Sequence, residues 1–557
     1  MNASPARAPV PAALGAALGL FAAVGCANLG APVATAPQAD PQAACQALAA
    51  QPGLLPGATL AGRYWPPGQR RPGNAASGDF LGGHCVVTGS IGARTGVDGK
   101  AYATGFQLSL PDGWNGRLLY LGGGGNDGIL RDTSLSSSIS IGTPSPLGQG
   151  YAVVSTDAGH QGQSGVFGLD PVARVDHAFA SHEKTALAAR RLIEWRYGRL
   201  PDRSYFSGCS GGGRQGMMFA QRFPGLFDGI TAGAPAMRVS SGATVAAMWN
   251  HQQFTAAAPR DASGQPVVAR AFSDADLQLL ARGINAACDM ADGLADGMVH
   301  HTQACRFDAA TLQCRGEKTA QCLSPAQVRA LDAYLGGPKD SRGRALYAGQ
   351  PPDPGLAAPG WRTWALGSSA TAKPDSRYVA LMVDALAHEF FTPPQPGFDP
   401  LAFNFDTDPA RMQWFSAVYD TYADDRLDAF RARGGKLMLI HGMADAIFSA
   451  NDTLDYYRRL AANHGGMAGV QGFARTFLVP GMNHCSGGPA TDTYDSLQSL
   501  VDWVEKGIAP DAILARAAAT SRDMPGRTRP LCAYPAYARY KGQGDPENAA
   551  HFVCTEP

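Results

Sequence analysis

Five short apolar runs in this chain each enter a turn rich in glycine, and that recurrence constrains the fold more than any other feature. Residues 117–121 lead into Gly122-Gly123-Gly124-Gly125, and residues 151–156 lead into Asp157-Ala158-Gly159-His160. Residues 204–207 lead into Gly208-Cys209-Ser210-Gly211-Gly212-Gly213, residues 436–440 into His441-Gly442, and residues 475–479 into Pro480-Gly481. Helical patterns lie between them, clearest over 182–197 and 214–223. Strands alternating with helices predict a mostly parallel sheet covered on both faces, with reactive residues at the carboxyl ends of the strands. The rhythm breaks over 237–422, a loop-rich stretch with four cysteines and a dense Asp/Gly cluster. The reading is an α/β class chain in which 43–236 and 423–557 form the core and 237–422 an inserted lid.

The chain has 557 residues, 45% of them hydrophobic and 17% charged, which excludes general disorder. Lys+Arg and Asp+Glu are equal at 46, so nothing suggests a nucleic-acid or polybasic membrane binder. Residues 1–26 carry Arg7 and then an apolar run over 10–24, the form of an export signal. Ala23-Val24-Gly25-Cys26 resembles a bacterial lipobox, with Ala23 where Leu is usual; the alternative is ordinary cleavage between about 25 and 36. Residues 27–42 are rich in Ala and Pro and read as a disordered tether. The expected location is periplasmic or extracellular, with membrane attachment if Cys26 carries a lipid. Cysteine usage agrees. Of 11 cysteines, setting Cys26 aside leaves ten, enough for five disulfides in an oxidising compartment. Short loops make Cys288–Cys305, Cys314–Cys322 and Cys532–Cys554 natural pairs, leaving Cys45, Cys85, Cys209 and Cys485.

Gly208-Cys209-Ser210-Gly211-Gly212 matches G-x-S-x-G, the sharp strand-to-helix turn that lifts a nucleophilic serine above a sheet. A serine needs a base, and in such folds the acid and then the histidine follow in chain order. Asp445 follows one expected strand and His484 the next, so Ser210, His484 and Asp445 are assigned as nucleophile, general base and orienting acid. His441 and His160 are weaker candidates. The helix opening at Gly211 aims its N–H groups at a developing oxyanion, and the second donor is expected from Gly122–Gly125, at Gly123. Cys209 precedes the nucleophile and Cys485 follows the base. A bond between them would close a loop of roughly 280 residues, worth at most on the order of 5 kcal/mol, and would tie the serine loop to the histidine loop.

Within Cys288-Asp-Met-Ala-Asp-Gly-Leu-Ala-Asp-Gly-Met298, Asp289, Asp292 and Asp296 crowd into one loop. Carboxylates this close repel unless a hard cation neutralises them, and an all-oxygen set with the carbonyls of Leu294 and Met298 points to Ca²⁺ in a structural role. The alternative is a solvated acidic turn.

The Cys-Ser-x-Gly-Gly elbow, the His-Gly-x-x-Asp acid loop, the His484-Cys485 pair and the Asp/Gly loop together resemble the tannase/feruloyl esterase family over nearly the whole mature chain. The resemblance implies an α/β-hydrolase with a large calcium-bearing lid, five disulfides including Cys45–Cys85 and Cys209–Cys485, and esters of aromatic acids (feruloyl, galloyl or terephthaloyl) as substrates. It also implies an aromatic pocket at Trp364 and Phe448. In one branch of the family a lid Arg grips a substrate carboxylate and a lid Phe clamps the ring. Tyr378 and Met382 stand at those two positions here, Arg377 is one residue away, and Gly211 replaces a Glu beside the nucleophile. Arg matters there because its planar fork binds a carboxylate bidentately, while Met packs a ring less rigidly. The expected function is therefore serine ester hydrolysis on a small aromatic ester. Its alternatives are a hydrolase specific for a terephthalate half-ester, a peptidase with the same triad, and a non-catalytic, calcium-dependent surface binding protein.

Overall fold

A computed structural model describes residues 40–68, 81–140 and 142–557. The expected export signal, Cys26 and residues 27–39 of the expected tether lie outside the described residues. The tether's last residues are already structured. Asp40 caps a helix over Pro41–Ala50 by accepting the Gln42 N–H at 3.0 Å, with Pro41 in the first turn where its missing N–H costs nothing.

Nine strands form the central sheet: β1 Ala58–Trp65, β2 His84–Thr95, β3 Ala101–Pro111, β4 Arg117–Leu121, β5 Ala152–Thr156, β6 Arg203–Cys209, β7 Gly229–Gly233, β8 Lys436–Gly442 and β9 Ala474–Val479. Their spatial order is β1-β2-β3-β5-β4-β6-β7-β8-β9. The pairs from β5–β4 through β8–β9 are parallel, while β1, β2 and β3 form an antiparallel meander joined to β5. The strand–helix rhythm did not reveal the meander. Every other residue of β1 is only half buried, so it lacks the continuous apolar run of a sheet interior.

β4 shows why the interior strands are largely apolar. Leu118 and Tyr120 enter a core shared with helices Ser181–Tyr197 and Gly211–Arg222, whereas Leu119 and Leu121 enter a second core with helix Ser496–Lys506. The period of two serves both faces, so apolar side chains are needed at both sets of positions.

The 202 residues between Gly233 and Lys436 separate two adjacent strands. They carry helices Thr244–Ala257, Asp274–Cys288, Pro325–Gly336 and Asp408–Tyr419, with many shorter turns. Reciprocal capping boxes start two of them, Ser273 with Asp276 and Ser324 with Gln327. The segment has its own apolar core, including Phe254, Tyr334, Trp361 and Phe415, which also takes in Ile447 and Phe448 from the loop after β8. Five disulfides join Cys45–Cys85, Cys209–Cys485, Cys288–Cys305, Cys314–Cys322 and Cys532–Cys554.

Candidate active site

Ser210 sits at the turn between β6 and helix Gly211–Arg222 with φ 66° and ψ −125°, a backbone state that L-residues rarely adopt. Its N–H is held by the Gly233 carbonyl at 2.9 Å, and its carbonyl accepts from Arg214 at 3.0 Å. The glycines around it are dictated by backbone crowding. A Cβ at Gly208 would lie 2.9 Å from the Gly122 Cα, and one at Gly212 would lie 2.8 Å from the Gly123 carbonyl oxygen. The helix therefore starts at Gly211, three residues before the 214–223 pattern. The Gly211 N–H at its first turn donates to no group among the described residues, as free helix N-termini do.

Asp445 and His484 follow β8 and β9. His484 Nδ1 donates to Asp445 Oδ2 at 2.7 Å. The other carboxylate oxygen accepts the N–H groups of Ile447 at 2.8 Å and Phe448 at 3.1 Å. Burial opposes the Asp445 charge, but His484 in front and His441 behind outweigh it and hold its carboxyl well below the usual carboxylate range. His441 is a bracing residue. Its Nε2 donates to the Phe448 carbonyl at 2.9 Å and its Nδ1 accepts from Thr453 Oγ1 at 2.9 Å. The Cys209–Cys485 bond brings the residues flanking nucleophile and base to a Cα separation of 6.0 Å.

Two residues that no sequence pattern singled out fix the histidine loop. Asp353, on the segment between β7 and β8, accepts the Gly481 N–H at 3.0 Å and the Gly355 N–H at 2.7 Å; burial raises its pKa to about 6. Asn483 donates to the Gly355 carbonyl at 3.1 Å.

The glycine-rich loop after β4 lies against the elbow, but Gly123 does not offer its N–H to the serine. That group donates to Gln215 Oε1 at 3.0 Å, and the Gly124 N–H donates to Asp127 Oδ1 at 2.9 Å. Gly125 and Asn126, beside Ser210 and Gly211 in the pocket wall, are the loop residues whose N–H groups donate to nothing among the described residues. Gly123, expected as the second oxyanion donor, thus has its N–H taken by Gln215.

The pocket over Ser210 is walled by Trp364, Leu381, Met382, Phe390, Ile447 and Phe448. The Trp364 and Phe448 rings each stand 5.4 Å from the His484 ring. Met382 lies on a short helix over Tyr378–Val383. Tyr378 is brought near but not into the pocket. It is 1% exposed and its hydroxyl donates to the Ala446 carbonyl, so it braces the acid loop and offers nothing to a ligand. Arg377 is exposed and not among the pocket-lining residues, with its guanidinium carbon 4.7 Å from the Trp364 ring centroid.

In the loop over 289–298, Asp289 accepts from the Gly297 N–H at 2.8 Å and Asp292 from the His300 N–H at 2.9 Å. Asp296 forms ion pairs with Arg529 and, at 3.4 Å, Arg527. Leu294 and Met298 donate their N–H groups to Asp292 and Asp296, leaving their carbonyls available. Burial, then Asp296 and Asp289, push Asp292 up to about 7. Among the described residues no group of three or more His, Cys, Asp or Glu side chains is already arranged to hold a metal. Asp289 Oδ1 is nevertheless buried without a partner, and the donor set is all oxygen. That chemistry fits a calcium ion.

No helix among the described residues is long and apolar enough to cross a membrane. Comparison with known proteins follows from this geometry. The fold matches the solved structure of feruloyl esterase B from Aspergillus oryzae with a TM-score of 0.77 and 24% identity, covering 93% of this chain and all of that one. In sequence, the chain is 43% identical over 526 residues to the mono(2-hydroxyethyl) terephthalate hydrolase of Piscinibacter sakaiensis, covering 86% of each. It is 30% identical over 491 residues to a probable feruloyl esterase of Arthroderma benhamiae, covering 85% of this chain and 86% of that one. The family model for tannase and feruloyl esterase matches residues 85–555. An α/β-hydrolase sheet, a serine elbow after β6 with acid and histidine in the loops after β8 and β9, and this match along the chain lead to one conclusion: the protein belongs to the tannase and feruloyl esterase family of ester hydrolases.

Proposed function

We propose that the chain hydrolyses carboxylic esters of small aromatic acids through an acyl-enzyme on Ser210. The observation that carries this reading is the His484–Asp445 hydrogen bond of 2.7 Å beside a strained serine elbow, under a pocket of aromatic and aliphatic side chains. His484 Nε2 takes the Ser210 proton as Oγ bonds to the ester carbonyl carbon, and the carbonyl oxygen becomes an oxyanion facing the N–H groups of Gly211 and the 125–126 stretch. As the intermediate collapses, the C–O bond to the alcohol breaks and His484 returns its proton to that oxygen. Water, deprotonated by the same histidine, then attacks the acyl carbon, releasing the aromatic acid and restoring Ser210. Asp445 keeps Nδ1 protonated and offsets the imidazolium charge.

The pocket side chains named above carry no cation, so the proposed acyl group is a neutral ring of feruloyl or galloyl type. A second reading, the half-ester of terephthalate, is favoured by Arg377 against the Trp364 ring and by the hydrolase relative from Piscinibacter sakaiensis. Calcium belongs to the proposal in a structural role. Asp289, Asp292, Asp296 and the carbonyls of Leu294 and Met298 would hold it, where it would neutralise crowded carboxylates away from the reacting atoms. The segment 1–26 and five disulfides support export, with Cys26 as a candidate lipid attachment site.

The test is kcat/KM for methyl ferulate, methyl gallate, mono(2-hydroxyethyl) terephthalate, p-nitrophenyl acetate and a matched anilide, each with wild type and Ser210→Ala. Ferulate or gallate ester preferred by tenfold or more, with turnover abolished in Ser210→Ala, supports the first reading. Preference for the terephthalate half-ester selects the second. Turnover that survives Ser210→Ala rejects both.

A further inference from the structure

We propose that Gln215 and Asp127 form a hydrogen-bonded clamp that positions the oxyanion loop against the nucleophile helix; this rests on the acyl-transfer reading above. Gln215 stands five residues after Ser210 on helix Gly211–Arg222 and is 1% exposed. Asp127 closes the glycine-rich loop and is 2% exposed. Three hydrogen bonds link them, one to each other and two to the loop backbone. The Gly123 N–H donates to Gln215 Oε1 at 3.0 Å, Gln215 Nε2 donates to Asp127 Oδ2 at 2.7 Å, and the Gly124 N–H donates to Asp127 Oδ1 at 2.9 Å.

The polarity of this chain of bonds admits one arrangement. Two backbone donors need two acceptors. The amide must turn its oxygen to Gly123, which leaves its nitrogen to face a group that only accepts, and an ionised carboxylate is such a group. Asp127 also holds φ 36°, a state that a simple turn would give to glycine, so an acid at this place carries a local conformational cost that its hydrogen bonds offset. The loop is fixed at its other points too. The Gly122 N–H donates to the Ser207 carbonyl at 2.9 Å, and His160 Nε2 donates to the Asn126 carbonyl at 2.8 Å. With Gly123 and Gly124 tied down, the unspent N–H groups are those of Gly125 and Asn126, in the pocket wall with Ser210. Gln215 and Asp127 touch no reacting atom. They are positioning residues that decide which donors face the oxyanion.

A reciprocal exchange tests this. Gln215→Glu sets carboxylate against carboxylate, and Asp127→Asn sets two amide donors against each other unless one amide turns and releases a glycine. The double variant Q215E/D127N restores the alternation, since the carboxylate at 215 accepts from both Gly123 and the amide at 127, whose oxygen still accepts from Gly124. Each variant is measured for kcat, KM, Tm and inhibition by an aryl boronic acid, which forms a tetrahedral serine adduct. Each single variant is expected to lose about 100-fold in kcat and in boronate affinity with KM within about threefold, because donors misplaced by about 1 Å act mainly in the transition state. The double variant is expected to return to within about tenfold of wild type. Gln215→Met, similar in length and without hydrogen bonds, is the further variant should a single one fail to fold, and is expected to show the same loss. Folded variants with wild-type kcat and boronate affinity, or a folded double variant no better than the singles, overturn the clamp. Wild-type turnover lost in Ser210→Ala beside undiminished clamp variants rejects the clamp alone. Turnover retained in Ser210→Ala rejects the reading beneath it.

Discussion

The two walls of the catalytic pocket are held by different physics. The wall built from the sheet, Gly125, Asn126, Ser210 and Gly211, is fixed by backbone contact, buried hydrogen bonds and a disulfide. The facing wall, Trp364, Leu381, Met382 and Phe390, comes from short helices of the segment between β7 and β8 and is fixed by apolar packing. Backbone contacts and directional bonds accept one geometry, whereas apolar packing accepts many side chains of similar volume. On the proposed function, chemistry falls on the unyielding side and substrate choice on the adaptable one. The departures at Tyr378, Met382 and Arg377 fall on the adaptable side and the one at Gly211 on the sheet side, where Ser210, Asp445 and His484 stand on loops of the sheet.

This contrast can be broken most sharply at the Cys209–Cys485 bond. Replacing both cysteines by Ala is expected to lower kcat about 100-fold by loosening serine–histidine geometry, while the other four disulfides keep the chain folded at 25 °C. A folded double variant with full activity, read by kcat beside circular dichroism, would show that the sheet wall needs no such tie. A smaller change is expected across the pocket. Met382→Ala removes packing worth about 1.5–3 kcal/mol when fully buried, only part of which a substrate ring would use. KM for the preferred ester is expected to rise about tenfold, with kcat within about threefold. A kcat loss as large as that of the cysteine pair would mean that the two walls are not separable. The smallest effect is expected farthest from the reacting atoms. Excess EGTA is expected to lower Tm by several degrees through loss of a folded-state ligand, with initial rates at 25 °C nearly unchanged. An unchanged melt, with no calcium in the purified protein, would leave the 289–298 loop as a plain acidic turn.

Legibility in the sequence follows the same division. Ser210, Asp445 and His484 were readable because each follows an apolar run, and the order of such runs survives any insertion between them. Gly123 was readable only as part of a loop. Which of four successive N–H groups stays free depends on Gln215, 92 residues away, and no local pattern reports it. The one hint was an acid soon after a glycine run, at Asp127. Tyr378 shows the opposite failure, since a residue standing at a ligand-binding position turned its hydroxyl onto the Ala446 carbonyl. The irregular helices near the pocket carry too few turns for periodicity to show which face points inward.

The long excursion between β7 and β8 also orders events in time. A ribosome releases Ser210 and its glycine loop first, then 202 residues of intervening chain, and only afterwards Asp445 and His484. β7 cannot find its partner β8 until that whole stretch has emerged. A product cut short between residues 210 and 484 would therefore carry the proposed nucleophile without its proposed base. On the proposed roles, hydrolytic competence waits until residue 484 has emerged.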